Sequence, residues 1–101
     1  LLAAVAGDRN AGIGALEERT SWIHPPKTVT ISTSTDSQNF TDAATITPDP
    51  SAQGRMEFGT ELAGRSARYV RFTVTTLPSI PEGYAGEGNL PWLFLDEVHI
   101  R

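Results

Sequence analysis

Asp96 and Glu97 are adjacent carboxylates inside the most apolar stretch of this 101-residue chain, Trp92-Leu93-Phe94-Leu95-Asp96-Glu97-Val98-His99-Ile100-Arg101. Two neighbouring acids invite a reading as a general acid and base. The stretch reads as a buried strand that completes a sheet, and successive side chains on a strand point to opposite faces. The two carboxylates are then expected to diverge, so they cannot act on one substrate atom. Paired-carboxylate hydrolysis needs facing groups with room between them, which neighbouring strand positions do not supply. Trp92, Phe94, Val98 and Ile100 share one face with period two and are expected to anchor the strand in the core. Asp96 interrupts that face, which predicts a bulge or a special polar contact there. The ordinary reading of Asp96 is a turn cap or an ion pair with a buried arginine such as Arg68 or Arg71.

Other reactive groups are sparse. His24 and His99 are the only histidines, and there is no cysteine. His99 alternates with Val98 and Ile100 and is expected to face solvent. No H-x-x-x-H or H-E-x-x-H spacing occurs, so a zinc site is not expected. No G-x-S-x-G elbow marks a nucleophile. Gly83-Tyr84-Ala85-Gly86-Glu87-Gly88 has the glycines of a phosphate loop but an acid inside it and no lysine after it. No thiol chemistry or disulfide is available.

The elements that must position these residues are short. The chain carries eight Lys and Arg against twelve Asp and Glu, a net charge of -4. The basic residues are scattered apart from Arg65, Arg68 and Arg71, which argues against nucleic acid as a partner. No run approaches the about 20 apolar residues of a membrane-spanning helix. One domain is expected over residues 1–101, with 1–12 the least defined. The first residue is not Met, and the chain is expected to be the C-terminal part of a longer protein.

Leu1 to Ala6 reads as a strand or one helical turn, and Gly7 to Gly12 as a loop. Ile13 to Leu16 is a short strand, and Glu17-Glu18-Arg19-Thr20 an exposed turn. Pro25 and Pro26 forbid a helix after Trp22 and push His24 to extended geometry. Lys27 to Ser34 alternates cleanly, with Val29, Ile31 and Thr33 inward and Thr28, Thr30 and Ser32 outward. Thr35 to Asn39 is a polar turn, followed by Phe40 as a core anchor. Asp42 to Ile46 and Arg55 to Phe58 are weaker strands, with a stop at Pro48-Asp49-Pro50 and a loop over residues 59–66. Ala67 to Thr76 is a strong strand with Val70, Phe72 and Val74 inward. Leu77 to Pro91 holds three prolines and three glycines; an ordered loop of that length is usually functional or packed on itself. Short strands between turn clusters, without sustained helical periodicity, predict an all-β sandwich or jelly roll.

Four stretches in this order carry a resemblance: Ser21-Trp22-Ile23-x-Pro25, Ser34-x-Asp36-x-x-Asn39-Phe40, Ala67-Arg68-Tyr69-Val70-Arg71-Phe72, and Leu90-Pro91-Trp92-Leu93-Phe94-Leu95-Asp96-Glu97-Val98. Together they resemble a discoidin domain, also called a coagulation-factor 5/8 type C or galactose-binding-like domain. They are most like the copy at the C-terminus of bacterial family-20 β-N-acetylhexosaminidases. The resemblance covers roughly residues 13–101. Ser37 stands where the family turn usually has glycine. The family domain also begins with strands and an Asp-, Gly- and Asn-rich loop that have no counterpart here. The resemblance therefore implies a discoidin-like jelly-roll sandwich lacking its N-terminal strands.

The resemblance further implies a non-catalytic, carbohydrate-binding accessory module of a secreted glycoside hydrolase. Its setting would be secreted, periplasmic or on a bacterial cell surface. Its partners would be glycans containing GlcNAc or galactose and the catalytic domain of the parent enzyme. No cofactor is required by that reading. Glu97 matches a position that often helps bind structural calcium in the family, but the main ligands lie in the early loop this chain lacks. The residue types add their own argument. Sugar binding needs a flat aromatic face for C–H groups and a few polar groups for hydroxyls, placed on loops at one end of a sandwich. Tyr84 beside Gly83 is the best platform, with Glu87 and Asn89 as hydroxyl partners. Trp22 and His24 contribute from a second loop, although Trp22 and Trp92 both adjoin strands and core packing is the ordinary expectation for each. The alternative is a structural module that packs on a catalytic domain through an apolar patch and binds no sugar.

Overall fold

The computed structural model describes residues 2–4, 10–49, 51–62 and 67–100. The expectations for Leu1, Val5 to Arg9, Pro50, Gly64 and Arg65 lie outside the described residues. The described residues form seven strands: β1 (Leu2–Ala4), β2 (Asn10–Glu17), β3 (Thr28–Ser34), β4 (Thr41–Ile46), β5 (Gly54–Glu61), β6 (Tyr69–Thr75) and β7 (Phe94–Ile100). One 3-10 turn, Arg19–Ser21, follows β2. The strands form two antiparallel sheets, in the orders β1-β6-β3-β4 and β5-β2-β7. This is an all-β sandwich.

The core between the sheets is Ala11, Ile13, Val29, Ile31, Leu62, Val70 and Phe72. β3 and β6 supply four of these through the alternation legible in their sequences. Val29 lies opposite Val74, and Ile31 opposite Phe72. Ser32 stands on the other face of β3, as expected, but is fully buried, and its hydroxyl donates to Asp42 Oδ1 at 2.8 Å. Phe40 is not a core anchor: it packs beneath the Arg71 guanidinium, 4.1 Å from the ring centre. The turn after β3 is held as its residues imply. Asp36 Oδ1 accepts the backbone N–H groups of Gln38 and Asn39, and Ser34 Oγ accepts those of Asp36 and Ser37. These bonds, led by the Asn39 and Gln38 amides, hold the Asp36 carboxyl far below the usual carboxylate range.

β2 is longer than its sequence implies, because Gly12 and Gly14 serve the sheet rather than break it. A Cβ on Gly12 would lie 2.5 Å from His99 Nε2, and one on Gly14 would collide with the Asp96 carboxylate. β5 runs through Gly59, which pairs with Gly12, so the expected loop over 59–66 does not begin until after Glu61.

β7 corrects the largest expectation. The strand starts at Phe94, and its register with β2 shifts between Ile13 and Ala15, leaving Asp96 and Glu97 as a bulge opposite Gly14. The bulge resets the alternation. Val98 and Ile100 pack against the core, while Leu95, opposite Ala15, takes the inward phase that Phe94 was expected to hold. Phe94 is 50 % exposed and Trp92 63 % exposed, so neither anchors the core.

Candidate functional site

Two loops meet at one end of the sandwich. The first runs from Glu18 to His24 and is closed by a reciprocal backbone pair: Glu18 N–H donates to Ile23 O at 2.9 Å, and Ile23 N–H to Glu18 O at 3.0 Å. Between them Trp22 sits in the left-handed region, φ 67 and ψ 18, where it ends the 3-10 turn. That geometry is unusual for a bulky residue and costs about 1–2 kcal/mol. It holds Trp22 partly exposed, at 36 %, rather than in the core. Its carbonyl accepts the Trp92 N–H at 2.8 Å, which ties this loop to the start of the closing stretch.

The second loop is the Pro- and Gly-rich segment after β6. It folds on itself around Ile80, which is buried and exchanges backbone bonds with Asn89 and Gly88. Pro81 O accepts the Tyr84 N–H, and Tyr84 O accepts that of Glu87, so the tip is a pair of overlapping turns. The expectation of a self-packed loop is met. Its tip rests on the first loop. Gly86, at φ 79, lies so close to the Trp22 indole that any Cβ would overlap it. The His24 ring meets the Tyr84 ring edge-on, centroids 5.5 Å apart at 89°. The Arg19 guanidinium lies 5.6 Å from the Tyr84 centroid, within cation–π range.

The fold therefore brings Tyr84, Trp22 and His24 together, with Glu87 and Asn89 exposed on the same loop as Tyr84. Their states differ from the expectation in two ways. His24 is 3 % exposed and supports Tyr84 from beneath instead of presenting its own face. The Asn89 side-chain amide donates to Gly86 O at 3.0 Å, so its N–H group is already engaged within the loop. Tyr84 remains 42 % exposed.

Arg19 is a site residue that sequence reasoning missed. It bridges Glu17 at 3.0 Å, donates to Ala52 O at 2.9 Å and reaches over Tyr84. A depression of about 600 Å³ lies beside it, lined by Glu17, Glu18, Arg19, Thr20, Gln53 and Gly54. The only signal in the sequence was a charged run just before an aromatic. Burial pushes the Glu17 carboxyl up, but the Gly54 and Arg19 backbone N–H groups and the Arg19 charge outweigh it and hold it below its usual value.

His24 Nε2 has no hydrogen-bond partner among the described residues. Burial, helped by the Arg19 charge and opposed by Glu17, depresses its pKa below 6.5. The folded chain thus holds this proton less tightly than the unfolded chain. The associated stability is fully present above about pH 6.5 and is lost as pH falls through the folded value. Melting temperature is expected to drop between about pH 7 and pH 5, and less steeply in His24→Asn. Parallel profiles for the two proteins would refute this.

Glu97 belongs to a different group, on the outer face of β5-β2-β7. Arg55 donates to Asp96 at 2.8 Å and to Glu57 at 3.0 Å, and stands 3.9 Å from Glu97. The carboxylates of Asp96 and Glu97, expected to diverge, converge on one guanidinium because the bulge places both on the same face. Asp96 pairs with the half-exposed Arg55, not with a buried Arg68 or Arg71 as expected; the two meet across Gly14, where a side chain would block them. The bond from Arg55 and the Glu97 N–H hold Asp96 below its usual pKa. These side chains are about half exposed, and such pairs are worth about 0–1 kcal/mol. His99 lies on this face too, over Gly12, and is half-buried.

A calcium ion needs six or more oxygens. Among the described residues no group of three or more His, Asp or Glu side chains is arranged to hold a metal, and the cation beside Glu97 is Arg55. The described side chains around Glu97 do not by themselves fit calcium. A chelator is expected to leave the melting temperature unchanged; a clear fall would show a bound structural ion.

No helix among the described residues is long and apolar enough to cross a membrane. No protein-family model matches the chain, and no curated protein is significantly similar to it.

Proposed function

We propose that this chain is a non-catalytic carbohydrate-binding module with a discoidin-like jelly-roll fold, an accessory to a secreted bacterial glycoside hydrolase of the β-N-acetylhexosaminidase kind. The observation that carries the reading is the convergence of Trp22 and Tyr84 at one end of the sandwich, both partly exposed, with polar groups around them. Aromatic faces take sugar C–H groups, and Glu87, Asn89 and the Glu18 to Thr20 rim supply hydroxyl partners. The strained backbone of Trp22 supports the same reading, since such strain persists where the surroundings over-determine it, often at binding sites. Ser37 adds support for the family, because it adopts φ 64, the geometry that favours the glycine usual in that turn.

A second reading has its own observation. Leu90, Trp92 and Phe94 are 74 %, 63 % and 50 % exposed and continue from this end along the closing stretch. An apolar patch of that kind suits packing against a catalytic domain. The two readings separate on a glycan array. The isolated chain is expected to bind GlcNAc- or galactose-terminated glycans, and Tyr84→Ala to lose about 10-fold or more in affinity, about 1.4 kcal/mol. Absence of binding above background by the parent chain would eliminate the sugar-binding reading and leave the packing one.

A further inference from the structure

The backbone of His24 is fixed on both sides. Its N–H donates to Trp92 O at 3.4 Å, Ile23 bridges to Trp92, and Pro25 and Pro26 follow, both buried. The buried ring packs edge-on against Tyr84, and its Nε2 has no hydrogen-bond partner among the described residues. An apolar aromatic would fill the same space with no polar atom to satisfy. A neutral imidazole can leave one nitrogen bare as an acceptor, whereas the protonated ring carries an N–H on both. A buried charged donor without an acceptor is costly, so protonation favours any arrangement that brings water to Nε2.

The charged groups that act on His24 come from the end of β2 and the first loop. Arg19 opposes a second positive charge, and Glu17 favours one more weakly. Glu17 is already engaged by Arg19 at 3.0 Å and by the Gly54 N–H. From the second loop the ring meets Tyr84, near which Glu82 and Glu87 are exposed, and from the closing stretch the Trp92 carbonyl meets its backbone. None of these gives Nε2 an acceptor. Because the His24 backbone is pinned, the second loop is the part that can yield. Its base is tied by Ile80 to Asn89 and Gly88. Its tip rests on the first loop at two points, Tyr84 on His24 and Gly86 on Trp22.

We propose that His24 is a positioning residue for Tyr84, and that its protonation lifts the tip of the second loop and switches the site at this end off. The switch rests on the sugar-binding reading for its ligand, but the movement of the tip is visible without one. A sugar that binds only the seated tip expels the His24 proton. Affinity is then constant at high pH and falls about tenfold per pH unit below the point where the folded chain takes that proton up.

The test follows Trp22 emission in the Trp92→Phe chain, with the His24 Cε1 proton read by nuclear magnetic resonance, from about pH 8 to about pH 5. The emission maximum is expected to move to the red with the midpoint of the His24 titration, while circular dichroism stays that of the folded chain. His24→Phe keeps a ring against Tyr84 and cannot be protonated, so its emission is expected to stay constant. N-acetyllactosamine, which carries both galactose and GlcNAc, is the ligand probe. The chain with His24 should bind it about 10-fold more weakly one pH unit below the His24 midpoint, and His24→Phe should bind it equally throughout. Emission that ignores pH, or shifts at a midpoint other than that of His24, would overturn the proposal, and neither result depends on whether His24→Phe folds. An equal shift in folded His24→Phe would also overturn it, since another group would then be the switch. So would equal affinity on both sides of the His24 midpoint. No binding at any pH, beside an emission shift that follows His24, would uphold the switch and remove the sugar-binding reading.

Discussion

Replacing Ile13 by alanine is expected to lower the unfolding free energy by about 2–5 kcal/mol. Ile13 is fully buried on β2, the middle strand of its sheet, between Phe58 of β5 and Val98 of β7. Its side chain reaches into the cluster that joins both sheets, so no neighbour can close the cavity without moving a strand. A domain of this size has about 5–15 kcal/mol in total, so the loss is a large fraction of its stability. Urea denaturation should show a much lower midpoint with an unchanged slope. A loss below about 1 kcal/mol would mean that the sheets pack differently at this point.

Gly86→Ala is expected to have the largest local effect. The residue sits at φ 79, where a side chain costs about 1–2 kcal/mol. Its new Cβ would also fall on the Trp22 indole, 2.5 Å from Nε1 and 2.8 Å from Cδ2. Either the loop lifts or the indole swings out. In both cases Trp22 fluorescence shifts to the red as the ring is hydrated, and the Trp22–Tyr84 platform comes apart. Trp92→Phe serves as the background, so that Trp22 is the only reporter. Glycan affinity should fall with the fluorescence change while the far-ultraviolet spectrum stays that of the parent. An unchanged emission maximum would show that the two loops are not packed as described.

β3 and β6 were legible because central strands with one buried face alternate without interruption. β2 was only partly legible: Asn10-Ala11-Gly12-Ile13-Gly14 looks like a loop by composition, and the partners that make its glycines useful, His99, Asp96 and Arg55, come from distant segments. β7 was legible as a strand and misread in phase. The interruption at Asp96 pointed to a bulge, but its effect on alternation depends on the register with β2, which one strand's sequence does not contain. That single shift moved Phe94 outward and brought Asp96 and Glu97 to one face. At the loops, residue type alone singled out Tyr84, Trp22 and His24. It did not separate the supporting role of His24 from the exposed ones, because His24 depends on contacts across some 60 residues of chain. Arg19 was missed for the same reason: in sequence it belongs to a polar turn, and only the fold lays it over Tyr84.

The central claim is that the Trp22–Tyr84 end binds sugar. Its most direct test is a nuclear magnetic resonance titration of the labelled chain with the best GlcNAc- or galactose-terminated ligand, read residue by residue. Saturable shifts are predicted at Tyr84, Trp22, Glu87 and Asn89, with β3 and β4 unaffected. Shifts confined to other surfaces, or none at saturating sugar, would contradict it.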